Sequence, residues 1–204
     1  MDAFDKIAHE WNAWRQSPIS CLQLFLPLVL QGDAILDAGC GNGRNLSELA
    51  KSAKEAYGVD SSTEMLKFAR ENILKKGIKN AAVVDGNILH LPFANAFFEK
   101  IFCAAVVHHL KKEEQMVAVS EFCRVLRPGG AIFATVWAEN KLRRGNEGHV
   151  KWGEVQRYHY FFTKEELKAL FEEGGFNVQD VFFEKDGKRV GKEKAQNLIL
   201  VARK

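Results

Sequence analysis

Cysteine is scarce in this chain, and what there is lacks pairing: Cys21, Cys40, Cys103 and Cys123 show no CxxC step. A disulfide framework and a thiolate zinc site are thereby excluded as organising features, so buried free thiols and no metal site are expected. Proline is thin as well, four residues in 204, and neither an internal repeat nor a low-complexity stretch is present. No apolar run approaches the roughly eighteen residues that a membrane-crossing helix requires. The amino terminus is acidic and amphipathic, without the basic start and cleavage site of a secretory signal, so a cytoplasmic location is expected. A net charge of +3 excludes little, but it is uneven: from Lys185 onward five Lys and two Arg face only Asp186 and Glu193. Such a tail favours a polyanion, or is simply solvated.

What is present is an alternation of short apolar runs with helical periods, the pattern of an α/β protein whose mostly parallel sheet is covered on both faces. Residues 3–15 read as an amphipathic helix, with Phe4, Ile7, Trp11 and Trp14 at helical spacing and Trp14 expected in the core. Five strands follow: AILDAG, EAYGVD, AAVVDGN, FEKIFCAAVVHHL and AIFATVWA. Ser61 and Ser62 are set to cap a helix that ends at Gly77, and Thr163 to cap KEELKALFEEGG. Arg127-Pro128-Gly129-Gly130 ends a helix that starts near Glu113. VQDVFFE and NLILVAR close the chain as a hairpin, so one of them runs against the rest. The expectation is a doubly wound, mostly parallel seven-stranded sheet with an antiparallel C-terminal hairpin.

The chemistry begins where the first strand runs into LDAGCGNGR. Gly39, Gly41 and Gly43 let the backbone approach a ligand closely. The dinucleotide pattern GxGxxG is not met, because Arg44 occupies its third glycine. Asp37 precedes the loop, Asp60 ends the second strand and Asp85 the third, which lines one rim of the sheet with carboxylates. Asp60 is set to accept ribose hydroxyls and Asp85 an adenine amino group, while Asp37 suits a cationic amine and repels a pyrophosphate. A cationic nucleoside without phosphate fits, and S-adenosylmethionine is one.

With FCAAVVHHL and RVLRPGGAIFATVW added, the chain resembles the class I S-adenosylmethionine-dependent methyltransferases over nearly its whole length. The resemblance implies a Rossmann-like single domain over 1–204 and cofactor contacts from Asp37, Gly39, Cys40, Gly41, Gly43, Asp60, Ser61, Asp85, Gly86, Asn87 and Ala104.

Four further landmarks narrow it: Trp11 and Arg15 in AHEWNAWR, the His108-His109 pair, Trp137 in VWAEN, and Trp152 then Arg157-Tyr158-His159 before the last helix. In this order they resemble the tRNA wobble-uridine methyltransferases that esterify a carboxymethyl group on carbon 5. The resemblance implies an N-terminal helical segment at 1–30, an acceptor-side insertion at 138–162, and acceptor chemistry at Arg15, His109, Trp137, Arg157, Tyr158 and His159. Arg15, Arg157 and His159 are expected on the acceptor carboxylate, and Trp137 and Tyr158 under a flipped uracil. In HVKWGEVQRYHYFF, polar positions are expected to line this pocket while Tyr160 and Phe161 pack. The resemblance further implies a tRNA anticodon loop as partner and a small zinc-containing activator subunit in a heterodimer, paired along Ala81 to Asp85. Two rivals share parts of this pattern: a methyltransferase for a small molecule such as a quinone precursor or organic acid, and a non-catalytic scaffold that contacts RNA or protein. A scaffold has no need of acids at all three strand ends.

Overall fold

The order in which the strands lie explains where a ligand can go. The structure, a computed structural model, describes residues 3–138 and 147–204. Strands β1 (Ala34–Ala38), β2 (Glu55–Asp60) and β3 (Ala81–Asp85) step outward in parallel on one side. Strands β4 (Phe98–Ala104) and β5 (Leu126–Trp137) step outward on the other, β4 pairing in parallel with β1 and with β5. The chain reverses its direction of travel between β1 and β4, and the crevice outside their carboxyl ends is the switch point at which open α/β sheets bind ligands.

Beyond β5 lies β10 (Asn197–Arg203), antiparallel both to β5 and to β8 (Asn177–Lys185). The expected sheet has seven strands; among the described residues it has an eighth, β9 (Lys188–Arg189), on the outer edge. The cause is the Asp186-Gly187 pair. Both residues have positive φ, 52° and 76°, the backbone of a tight hairpin turn that folds β9 onto the end of β8. Strands β8 and β10 still pair, but the chain reaches β10 through this detour.

Helices cover the faces because their apolar residues recur every three or four positions. In α4 (Thr63–Lys75) Met65, Leu66, Ala69 and Ile73 form the buried stripe, each larger side chain contributing roughly 1.5–3 kcal/mol on burial. Ser62 caps it by accepting from the Met65 amide. In α6 (Lys164–Glu173) Thr163 and Glu166 form a reciprocal capping box. Helix α5 (Lys112–Val125) passes straight into β5, so Arg127-Pro128-Gly129-Gly130 does end a helix, but as the start of a strand, with Arg127, Pro128 and Gly129 exposed. Phe102 and Phe133 stack in the core at 5.7 Å between ring centroids. The short α2 (Leu22–Phe25) and α3 (Leu46–Ser52) complete the helical cover.

Two elements close over the crevice. Helix α1 (Ala3–Trp14) packs across α4, and β6 (Glu147–Trp152) with β7 (Val155–Tyr160) forms a separate antiparallel ribbon. HVKWGEVQRYHYFF is therefore largely this ribbon, with Tyr160, Phe161 and Phe162 buried beneath it.

Candidate active site

The glycine loop is shaped by contacts that a side chain would break. Gly39 has φ 76°, and a Cβ there would fall 2.4 Å from a Val106 methyl. The amides of Gly39 and Cys40 both donate to the Val59 carbonyl, at 2.8 and 2.9 Å. The Gly41 amide donates to Asp60 Oδ2 at 2.8 Å, and the Ser62 amide to Oδ1 at 2.9 Å. Asp60 thus joins the loop to the end of β2. Asn42 donates to Asn12 Oδ1 and to the Arg15 carbonyl, both at 2.9 Å, which ties α1 to the loop.

Behind the loop Asp37 is 1 % exposed, and neither carboxylate oxygen has a hydrogen-bond partner among the described residues. Burial, and then the nearby Asp60, push its carboxyl up to about 7, against the opposing pull of the Arg44 guanidinium. A buried acid of this kind, beside a backbone that leaves room for a ligand, fits a group that brings its own positive charge.

These features border a cavity of about 1020 Å³, large beside ordinary small-ligand pockets of about 300–1,000 Å³. Of the residues expected at the cofactor, Gly39, Cys40, Gly41, Asp60, Ser61, Gly86, Asn87 and Ala104 line it. Gly43 is not among the lining residues; a Cβ there would meet Ala69 at 3.1 Å, so its bare backbone serves the packing of α4. Asp37 lies behind the lining, and Asp85 is exposed at the end of β3.

At the far end of the cavity Ala105 takes a left-handed φ of 60°. Such a conformation in a residue with a Cβ is strained, and here it turns the chain from β4 into the short 3-10 turn that carries His108 and His109. His109 Nδ1 lies 3.1 Å from the Tyr158 carbonyl oxygen, and His159 Nδ1 lies 3.0 Å from that of Arg157. A carbonyl only accepts, so both rings carry a proton on Nδ1. Burial, followed by His159 and Arg157, holds His109 down at about 3. Trp137 stacks with His159 at 4.4 Å and with His108 at 5.4 Å. Nitrogens of His108, His109 and His159 lie within 4.8 Å of one another, a spacing that bears on the expectation of no metal site. Arg157 adds positive charge beside His109, which disfavours a further cation there.

Arg157 is 5 % exposed, and its guanidinium lies 5.6–5.7 Å from the rings of Phe4, Trp11 and Trp152. Arg15 lies 5.3 Å from the Trp11 ring. Trp152 is fixed by donating to Glu10 at 2.8 Å. Burial and then mutual repulsion with Arg15 lower Arg157 from its ordinary value. Neither arginine has a carboxylate within ion-pair distance among the described residues. Aromatic faces stabilise the two cations only in part, and an anion would complete them.

Of the residues expected at the acceptor, Arg15, His109, Trp137 and Arg157 line the cavity. Tyr158 does not; its side chain turns to the opposite face of β7 and its hydroxyl donates to Glu147 at 2.7 Å. His159 lies behind Trp137 and is fully buried. Glu139 and the rest of 139–146 in the acceptor-side insertion lie outside the described residues. Trp14, expected in the core, is 77 % exposed, because the surface beneath α1 gives way at its last turn to the cavity mouth. Among the lining residues for which the sequence implied no ligand role are Arg44, in the slot of the missing third glycine, and His108.

A mostly parallel sheet with an antiparallel end, a glycine-rich loop after β1 and an acid ending β2 at the switch point are the features of a Rossmann-like methyltransferase. Residues 35–130 match the methyltransferase domain family, and the chain is an S-adenosylmethionine-dependent methyltransferase. It is 27 % identical over 218 residues to the tRNA (carboxymethyluridine(34)-5-O)-methyltransferase of Schizosaccharomyces pombe, covering 90 % of each. It is 32 % identical over 136 residues to the Arabidopsis thaliana protein of the same description, covering 66 % of this chain but 31 % of that one. Its fold matches that of the Haloferax volcanii methyltransferase solved in complex with the Trm112 methyltransferase activator, with a TM-score of 0.79 at 19 % identity over 99 % of this chain and 96 % of that one.

When bound, the cofactor supplies an electrophilic methyl group on a sulfonium. The chain's own part is to hold and orient. Asp60 and the glycine loop border the cavity, and Asp37 lies behind the loop. Trp137, His108 and His109 line its far end, a wall of rings that would keep water from a reacting group there.

Proposed function

We propose that the chain methylates the carboxylate of a 5-carboxymethyl-type uridine at the tRNA wobble position, forming the methyl ester. The observation that carries this reading is Arg157, a buried guanidinium in a box of three aromatic rings, beside the cofactor cavity and without an acidic partner among the described residues. Such a cation suits an anionic acceptor. A carboxylate is already ionised near neutral pH, so the reaction needs no general base. The site agrees: His109 is neutral, and its one fixed proton is spent on a backbone carbonyl. Arg157 holds one carboxylate oxygen, with Arg15 adding positive charge from the cavity mouth, and the other oxygen is left to attack. Trp137 offers a face to the base. His159 acts through others, supporting Trp137 by stacking.

A zinc-containing activator subunit belongs to the same proposal. Strand β3 is the outer edge of the sheet, five residues long and without a charged side chain before Asp85. An edge so little protected is suited to strand addition by a partner. Gly86 and Asn87 follow directly, so a cover here would also steady the cofactor rim.

The test is transfer of labelled methyl to undermodified tRNA, with and without the activator, followed by mild alkali. The expected product is alkali-labile label confined to an anticodon fragment. Cofactor binding without transfer to tRNA in either condition would move the acceptor to a small carboxylic acid.

A further inference from the structure

We propose that Trp14, with Arg15 and Lys151, forms a docking platform at the cavity mouth that stacks a nucleobase next to the acceptor nucleotide. Five large apolar side chains are exposed among the described residues: Trp14, Leu28, Leu30, Leu74 and Val117. Single exposed apolar residues are ordinary and call for no explanation by themselves. Trp14 differs in its position, since it alone of the five lines the reaction cavity. Its indole is 77 % exposed, on the last turn of a helix whose preceding tryptophan, Trp11, is committed to the box around Arg157.

The charges at the mouth select the occupant. Arg15 and Lys151 are exposed, line the same cavity and are in no ion pair among the described residues. Two of the carboxylates on the lining are already engaged by backbone amides, Asp60 by Gly41 and Ser62, and Glu114 by Lys111. Asp186 is the exposed acid that remains. A flat π-face flanked by cations is how single-stranded nucleic acid is held without sequence readout: the base stacks and the phosphates follow the charges. The small-acid acceptor has no neighbouring base to offer. The inference rests on the RNA reading above and extends it from the reacting base to its neighbour in the strand.

The experiment uses an anticodon stem-loop RNA whose wobble uridine carries a 5-carboxymethyl group, with Trp14→Ala and Trp14→Phe. Stacking predicts that W14A raises KM for the stem-loop roughly ten- to a hundredfold, and that W14F recovers most of the loss. Cofactor affinity by calorimetry is the folding control. An unchanged KM for W14A overturns the platform, including the case in which a protein partner covers Trp14. If the unaltered chain transfers no methyl to the stem-loop, the acceptor reading fails on its own. The platform is then decided by equilibrium binding of unmodified single-stranded RNA, and equal affinity for the unaltered chain and W14A overturns it.

Discussion

His109 Nδ1 sits 3.1 Å from the carbonyl oxygen of Tyr158, so the histidine facing the cavity spends its only proton on the strand that also supplies Arg157. Burial holds the ring down at about 3, which leaves it uncharged throughout the physiological range. At saturating cofactor, kcat is expected to be flat from about pH 6 to pH 9, because the acceptor carboxylate ionises near pH 4 and no group in the reaction titrates between. A pH–rate profile checks this. An inflection near 6.5 that disappears in His109→Gln would instead make His109 a base.

Asp37 carries the opposite sensitivity. Its carboxyl, pushed up to about 7, binds a proton in the folded chain between about pH 4 and pH 7, where the unfolded chain has released it. The folded state then holds more protons, so the cofactor-free protein loses stability as pH rises through that window, by a few kcal/mol at roughly 1.4 per unit. A cation bound at Asp37 requires the ionised form. Cofactor affinity is therefore expected to rise up to tenfold per pH unit below about 7 and to level off above it. Asp37→Asn is expected to melt higher without cofactor at pH 8, to bind cofactor at least tenfold more weakly, and to lose the pH dependence. Thermal melts and calorimetry at several pH values measure all three.

Arg157 tests whether the aromatic box holds a planar cation or any positive charge. Three rings surround its guanidinium at 5.6–5.7 Å, and a guanidinium offers a two-pronged face to a carboxylate that an ammonium lacks. Arg157→Lys is expected to raise the acceptor KM about ten- to a hundredfold, near the effect of Arg157→Ala, with cofactor affinity within threefold of the unaltered chain. Steady-state kinetics with each substrate varied separates the two. Recovery of acceptor KM by the lysine variant would reduce the box to a source of charge.

Much of this was legible in the sequence, and the parts that were not have identifiable causes. The strands and caps followed from periodicity and from Ser62 and Thr163, whose side chains accept amides in the first turns of α4 and α6. The Arg157-Tyr158-His159 run was read as one acceptor surface, yet alternation along β7 puts Arg157 and His159 on one face and Tyr158 on the other. That separation was available from the period of two once the segment was taken as a strand. Arg44 and Trp14 are harder. One owes its place to the folding of the loop against α1, the other to where the surface under α1 stops, and neither is written in local pattern. The left-handed Ala105 that presents the histidines has no sequence signal at all, since alanine is neutral about its surroundings.

Gly39 offers the sharpest test of the loop itself. At φ 76° a Cβ is strained wherever it points, and here it would lie 2.4 Å from Cγ2 and 2.9 Å from Cγ1 of Val106. Gly39→Ala therefore meets two costs, roughly 1–2 kcal/mol for the left-handed backbone and a further 1–3 for overpacking. Val106→Ala removes the side chain it strikes and leaves the backbone cost in place. The double variant is expected to regain about half of the stability lost by Gly39→Ala, measured by denaturant unfolding, while cofactor affinity stays low because the loop amides no longer sit against Val59. Full recovery of both would mean that the clash alone, and not the backbone conformation, demands glycine at this position.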